Sequence, residues 1–255
     1  MRGPWSGDGT AVVLLHGQPG SAADWELVLP HLPGLRLLAP DRPGYDGTAA
    51  GGFAHNARAL LRRLDDDGVD RVVLVGHSWG GGVALQVAAD APDRVAALCL
   101  VGSVGSPLAV TRTDRLLALP GVAQGSAGFM SLTGRRMAPV VRATSGSRLD
   151  PAQRTALAAT LGMWSVTGAW GAFAAEQRAL VREGPRLAAR LSTLHVPAVV
   201  LVGRRDAVVH PRAQRDLADQ LPRAELQQLD GGHLTTLEAP QQVAAGIRRA
   251  VELAS

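Results

Sequence analysis

The sequence predicts an α/β domain: a doubly wound, mostly parallel sheet with a helical cap inserted late in the chain. Three observations carry this expectation. Short runs rich in Val, Leu and Ala alternate with stretches of helical pattern along most of the chain. The apolar runs lack polar alternation, which suits strands buried on both faces. The alternation stops between about Ser106 and Leu194, an interval far longer than one crossover helix needs.

The strand candidates are Ala11–Leu15, Leu35–Ala39, Arg71–Val75, Ala97–Val101, Ala198–Val202 and, with a weaker pattern, Ala224–Leu229. Helical patterns cover Asn56–Leu64, Gly81–Ala89, Arg212–Gln220 and Gln241–Leu253. In such a sheet the ligand site lies at the carboxyl ends of the strands, and each motif below falls at such an end. The long interval carries helical pieces at Asp114–Ala118, Pro151–Leu161, Ala172–Arg182 and Pro185–Leu191, separated by breakers such as Pro120-Gly121, Gly134, Pro139 and Gly184-Pro185. The chain therefore divides into a core of residues 1–105 and 195–255 and a cap of residues 106–194. The cap holds three of the four methionines and four of the nine aromatic residues. That is enough adaptable apolar side chain to wall a pocket as well as to fill the cap's own interior. Phe129, Met130, Trp164 and Trp170 are the candidate substrate contacts.

Composition narrows the classes of function. The 255 residues suffice for one α/β domain with a sizeable core. All 26 basic residues are arginine, interleaved with 22 acids, and no basic stripe marks a nucleic-acid footprint. Cys99 is the single cysteine, which excludes an intramolecular disulfide and any multi-cysteine metal site. It sits in the apolar run Val95–Val101 and reads as a small buried residue. No H-x-x-H or H-E-x-x-H spacing occurs, so neither metal nor cofactor is expected. No apolar run reaches the ~18 residues of a membrane span, and the first residues lack the apolar core of a secretory signal. The expectation is a soluble, cytoplasmic protein whose partner is a small-molecule substrate.

The chemistry centres on Gly76-His77-Ser78-Trp79-Gly80, a G-x-S-x-G pentapeptide between a strand candidate and a helix of small residues. A serine on such a sharp turn is held in a strained backbone conformation with its hydroxyl exposed at the sheet edge, and a Cβ at either flanking glycine would collide with neighbouring elements. A serine hydroxyl is a poor nucleophile unless a base takes its proton and a third group orients that base. Asp206, after the strand Ala198–Val202, and His233, after the last strand, are the candidates. Asp230 lies nearer to His233 in sequence but belongs to the end of a different strand from Asp206. Gly102-Ser103-Val104-Gly105, after the preceding strand, offers no carboxylate. His77 is expected to point away from the site and His16 to brace a loop; His31, His55, His195 and His210 read as surface or packing residues.

Other motifs stand at other strand ends: His16-Gly17-Gln18-Pro19-Gly20, Asp41-Arg42-Pro43-Gly44-Tyr45, Gly203…Asp206, and Gly232-His233…Glu238-Ala239-Pro240. In this order, with the elbow, they resemble the α/β-hydrolase fold superfamily, and in particular its capped, single-domain serine esterases, from about Ala11 to the C-terminus. The resemblance implies Ser78 as nucleophile, His233 as general base and Asp206 as its orienting acid. It also implies an oxyanion hole made by the backbone N–H groups of Trp79 and Gln18, since Pro19 has none. One position departs from the pattern: Asp46 stands where the family usually has glycine, which puts a negative charge near the entrance.

Relatives that open epoxides or displace halide use an aspartate nucleophile, and Ser78 argues against both. Serine fits acyl transfer. The first expectation is hydrolysis of a carboxylic ester, small to medium and partly apolar. Carbon–carbon bond hydrolysis, cofactor-free perhydrolysis and a proline-iminopeptidase-like activity use the same triad. The last would need a cap carboxylate for the substrate amine, Glu176 or Glu183. A non-catalytic ligand-binding protein is the reading outside catalysis.

Overall fold

The computed structural model describes residues 1, 3–126, 128–129, 132–133, 149–163 and 167–255. Six strands form its centre: β1 (Ala11–Leu15), β2 (Arg36–Leu38), β3 (Val72–His77), β4 (Val95–Val101), β5 (Ala198–Gly203) and β6 (Ala224–Leu229). They pair in the order β2-β1-β3-β4-β5-β6, every pair parallel. The described helices are α1 (Phe53–Asp66), α2 (Trp79–Asp90), α3 (Arg112–Leu117), α4 (Pro151–Met163), α5 (Thr167–Ala188), α6 (Pro211–Gln220), α7 (Thr235–Glu238) and α8 (Pro240–Leu253). None of them is long and apolar enough to cross a membrane.

The unbroken apolar runs have a simple cause. Successive side chains of a strand point to opposite faces, and here each face has its own core. Val13, Leu15, Leu74, Leu100 and Val200 pack with α1, α2 and α6 on one side. Val12, Leu14, Val75, Cys99 and Leu201 pack with Trp25, Val28 and α8 on the other. The edge strand β6 is only partly covered, and its alternation of Glu and Gln with apolar residues is what weakens its sequence pattern.

Several expected boundaries shift by a few residues, and two of these shifts have a clear cause. β3 runs on through Gly76 and His77, because these pair with Leu100 and Val101 of β4 even though glycine is a poor strand former. The expected break at Gly184-Pro185 does not occur: α5 passes through Pro185 as one helix. A proline inside a helix removes one backbone hydrogen bond, but Leu180 before it and Leu187, Ala188 and Leu191 after it are buried in the same cluster as β4 and β5. That shared burial holds the two halves in line. It also ties the second half of α5 to the sheet.

Register aligns the strand ends that matter. Leu15 of β1 lies opposite Gly76 of β3, so the loop after β1 runs beside the turn after β3. Gly203 of β5 lies opposite Leu229 of β6, so Asp206 and His233, a few residues on, emerge at the same edge.

Candidate active site

Ser78 stands between β3 and α2 with φ 53° and ψ −118°. It is the one non-glycine residue with positive φ among those described. The turn is tight on both sides. A Cβ on Gly76 would lie 2.4 Å from Cα of Gly81 in α2, and one on Gly80 would lie 2.4 Å from the Leu15 carbonyl oxygen. Both contacts are with backbone, which cannot swing aside, so the two glycines of the pentapeptide are obligatory. A Cβ on Gly82 would enter the ring of Phe53 at 2.4 Å.

The structure brings Ser78, His233 and Asp206 together. Ser78 Oγ and His233 Nε2 are 3.0 Å apart, and His233 Nδ1 is 2.9 Å from Asp206 Oδ2. Asp206 is buried, and its other oxygen, Oδ1, accepts the backbone N–H groups of Val208 and Val209, each at 2.9 Å. Gln214 of α6 donates to Oδ2 at 2.9 Å and to the Val209 carbonyl. Both oxygens are thus occupied as acceptors, and Oδ2 also accepts the hydrogen bond from His233 Nδ1–H. Nε2 is left to accept from the serine hydroxyl.

Other candidates fall elsewhere. Asp230 is 67% exposed and faces Arg204 at 3.5 Å. His77 does not reach Ser78, but neither does it turn away altogether. Its Nε2–H donates to the His233 carbonyl at 2.9 Å, and its ring lies 5.0 Å from that of His233. Burial, reinforced by the neighbouring His233, pushes the His77 imidazole down to about 4, so it stays neutral and braces the histidine loop. Glu238 adds a second brace by accepting the Gly232 N–H at 2.5 Å. Gly102, at the end of β4, has φ +52°, and a Cβ there would lie 3.2 Å from Asp206 Oδ2. The carboxylate contributed by β5 thus sits directly against the end of β4.

His16 accepts the Arg42 backbone N–H at Nε2 (3.0 Å) and donates from Nδ1 to the Gly17 carbonyl (2.9 Å). Burial and the Arg42 charge hold its pKa well below the ordinary histidine value. Gln18 follows Gly17 in the loop after β1, where a Cβ on Gly17 would lie 3.2 Å from Ser78 Cβ, and Trp79 is the first residue of α2. The Trp79 N–H opens α2, where no intrahelical acceptor exists. The Trp79 ring is buried against Phe53 at 4.5 Å between centroids. Asp46 does not hang free at the entrance: Thr48 N–H and hydroxyl bond one oxygen, and the Met1 amino group lies 3.0 Å from the other.

Of the cap candidates, Phe129 is 62% exposed and Trp170 is buried, its ring 5.4 Å from that of Phe173. Met130 and Trp164 lie outside the described residues. Glu176 and Glu183 are both committed to protein partners. Glu176 is fully buried between Arg42 and the Tyr45 hydroxyl. Glu183 caps the start of α1, where Ala54 N–H donates to it at 3.4 Å. Neither presents a free carboxylate to a substrate amine.

Sequence reading passed over Gln214 and Gln177, and it placed Arg42 in a motif without giving it a role. Gln214 had one signal: it is a polar residue on the face of α6 that also carries Ala213, Leu217 and Ala218.

A cavity of about 20 Å³, room for one water, lies among Asp24, His77, Ala156, Thr160 and Leu234. Burial pushes the Asp24 carboxyl up from 3.8 to about 6, against the opposing bonds from Ser21 N–H and the Thr160 hydroxyl of α4. A raised folded pKa means that the folded chain holds a proton the unfolded chain has already lost. Asp24 therefore favours the fold below pH 3.8 and progressively disfavours it as pH rises to about 6. Asp24→Asn should remove that loss, gaining at most about 3 kcal/mol on the wild type over this window. Thermal midpoints of both proteins from pH 4 to 7 check this; parallel curves would refute it.

The family model for the alpha/beta hydrolase fold matches residues 10–240. The chain belongs to that family. Among curated proteins, alpha/beta hydrolase relatives include the pimeloyl-[acyl-carrier protein] methyl ester esterase of Aromatoleum aromaticum, 32% identical over 94% of this chain and 97% of that protein. Lipase LipV of Mycobacterium tuberculosis is 35% identical over 60% of this chain, and the match spans about half (51%) of the lipase's length. Among solved structures, an esterase of Thermogutta terrifontis superposes with a TM-score of 0.78 at 24% identity, covering 98% of this chain and 92% of that one. At that identity the likeness is one of fold.

Proposed function

We propose that this alpha/beta hydrolase is a serine hydrolase that cleaves carboxylic esters of small to medium, partly apolar molecules through an acyl-enzyme. The observation that carries the reading is the relay of 3.0 Å from Ser78 to His233 and 2.9 Å from His233 to Asp206, built on a serine in the left-handed region. Ser78 Oγ attacks the ester carbonyl while His233 Nε2 takes its proton. The charge that develops on the carbonyl oxygen is met by the N–H groups of Gln18 and Trp79. His233 then returns the proton to the leaving alcohol, and water repeats the sequence on the acyl-enzyme. Asp206 keeps Nδ1 protonated and stabilises the imidazolium. Among the described residues of the segment between β4 and β5, helix α5 packs on the loops after β1 and β2 through Gln177 and Glu176, which supports reading that segment as the cap over the site. The full-length relative named as a methyl ester esterase supports an ester substrate.

Purified protein offered p-nitrophenyl esters of graded acyl length tests this. Turnover with an optimum at one chain length, together with an acyl group trapped on Ser78 and found by mass spectrometry, is the expected result. No turnover on any ester by folded protein would overturn it.

A further inference from the structure

Arg42 is wholly buried, and its guanidinium reaches three things at once. Its Nε–H donates to the His16 carbonyl at 2.9 Å, Nη2 donates to the Gly17 carbonyl at 2.6 Å, and Nη1 pairs with Glu176 of α5. Its face lies 4.6 Å from the ring centre of Trp79 and 5.1 Å from that of Tyr45. The two carbonyls belong to the two peptide planes on either side of Gly17, and the rotations between those planes are Gly17's own φ and ψ. A side chain there would be crowded: a Cβ would lie 3.0 Å from His77 Nδ1 and 3.2 Å from Ser78 Cβ. Glycine leaves the backbone there free to rotate, so something else must fix it.

We propose that Arg42 is a positioning residue for the oxyanion donor, clamping both peptides around Gly17 so that the Gln18 N–H points at the reacting oxygen, and that Glu176 makes this clamp depend on helix α5 being seated. This rests on Ser78 acting as nucleophile with Gln18 as donor. The Gly17–Gln18 peptide is planar and trans, so holding its oxygen fixes its N–H in the opposite direction. Its oxygen accepts from both Arg42 and His16 Nδ1, and bonding a carbonyl to a cation polarises the same peptide's N–H. A buried guanidinium needs a counter-charge. Glu176 supplies it from 134 residues away in the sequence. Tyr45 hydroxyl holds Glu176 at 2.8 Å, and Gln177 of the same helix accepts from the Gln18 side chain at 2.8 Å. Helix α5 therefore reaches the donor loop twice, directly through Gln177 and through Arg42 by way of Glu176.

Three variants test it: Arg42→Lys, which keeps the charge and loses the rigid fork; Glu176→Gln, which removes the counter-charge; and Arg42→Met/Glu176→Leu, which replaces the pair with apolar side chains so that folding survives. Fluorophosphonate labelling run to completion counts reactive Ser78, and kcat is expressed per labelled serine. In Arg42→Lys and the double variant, kcat falls roughly 10–100-fold with KM for the ester within about threefold, and affinity for a trifluoromethyl ketone, whose adduct carries the oxyanion, falls in parallel. Glu176→Gln gives a smaller loss of the same kind. A kcat per labelled serine within twofold of wild type, or a rise in KM alone, overturns the clamp. Unchanged kcat in Glu176→Gln alone overturns the dependence on α5. Wild-type protein that takes no label at Ser78 overturns the underlying reading and the clamp with it.

Discussion

Replacing Ser78 by alanine is expected to lower ester turnover by roughly 10⁴-fold or more while leaving the fold intact. The hydroxyl is the only group removed, and its partner is His233 Nε2 at 3.0 Å. What survives is binding and the oxyanion donors, which cannot replace a nucleophile. Ser78→Gly should be equally inactive but separable by stability. At φ 53° and ψ −118° a residue with a Cβ is strained by about 1–3 kcal/mol, and alanine keeps that strain. Glycine releases it, offset in part by the ~0.5–1 kcal/mol it costs through the unfolded chain. The glycine variant should therefore melt above the alanine variant. Steady-state kinetics and thermal melts of the three proteins check both halves. Activity within tenfold of wild type in Ser78→Ala would remove Ser78 from the chemistry. Equal melting of the two variants would show that the elbow stores no more strain than the ~0.5–1 kcal/mol that glycine costs through the unfolded chain.

The second large effect is Asp206→Asn, for which a loss of roughly 10⁴-fold in kcat is expected. The direction follows from the hydrogen bonds. Oδ1 accepts from two backbone N–H groups, so an amide nitrogen cannot occupy that position. Asparagine must place its NH₂ where Oδ2 stood, facing His233 Nδ1 and the Gln214 side chain. There it donates to Nδ1 and drives the imidazole proton onto Nε2, which then has no lone pair for the serine hydroxyl. The exposed Asp230 is the control: Asp230→Asn should leave kcat within about twofold, since surface substitutions of this kind change little. Comparable damage from both variants would mean that Asp206 is not the orienting acid.

Much of this architecture was legible along the chain, for a physical reason. Strand faces and the strand-to-helix elbow are short-range features: Arg71–Val75 followed by Gly76-His77-Ser78 reads as a strand and a turn because β-branched burial and steric need for glycine act over a few residues. Ser78 and Asp206, singled out with His233 by their places after strands, each lie within hydrogen-bond distance of His233 because register brings those strand ends to one edge. What could not be read were partnerships across the fold. Arg42 finds Glu176 only because α5 crosses over the loop after β2, and no local pattern encodes that. The helix through Pro185 is the opposite case. The local signal said stop, and burial on both sides of the proline overrode it.

The glycine at the end of β4 has a consequence for how such sites diversify. Nδ1 of the base can be approached from two neighbouring strands, and the space a side chain at position 102 would take already abuts the carboxylate that β5 supplies. The acid is thus a replaceable part with two possible mountings. A lineage could move it from one strand to the other through an intermediate carrying both, without moving the histidine or the serine. Chain order, serine then acid then histidine, is the same for both mountings, but the spacing is not, and a search that insists on one spacing will pass over proteins whose site, once folded, superposes on this one.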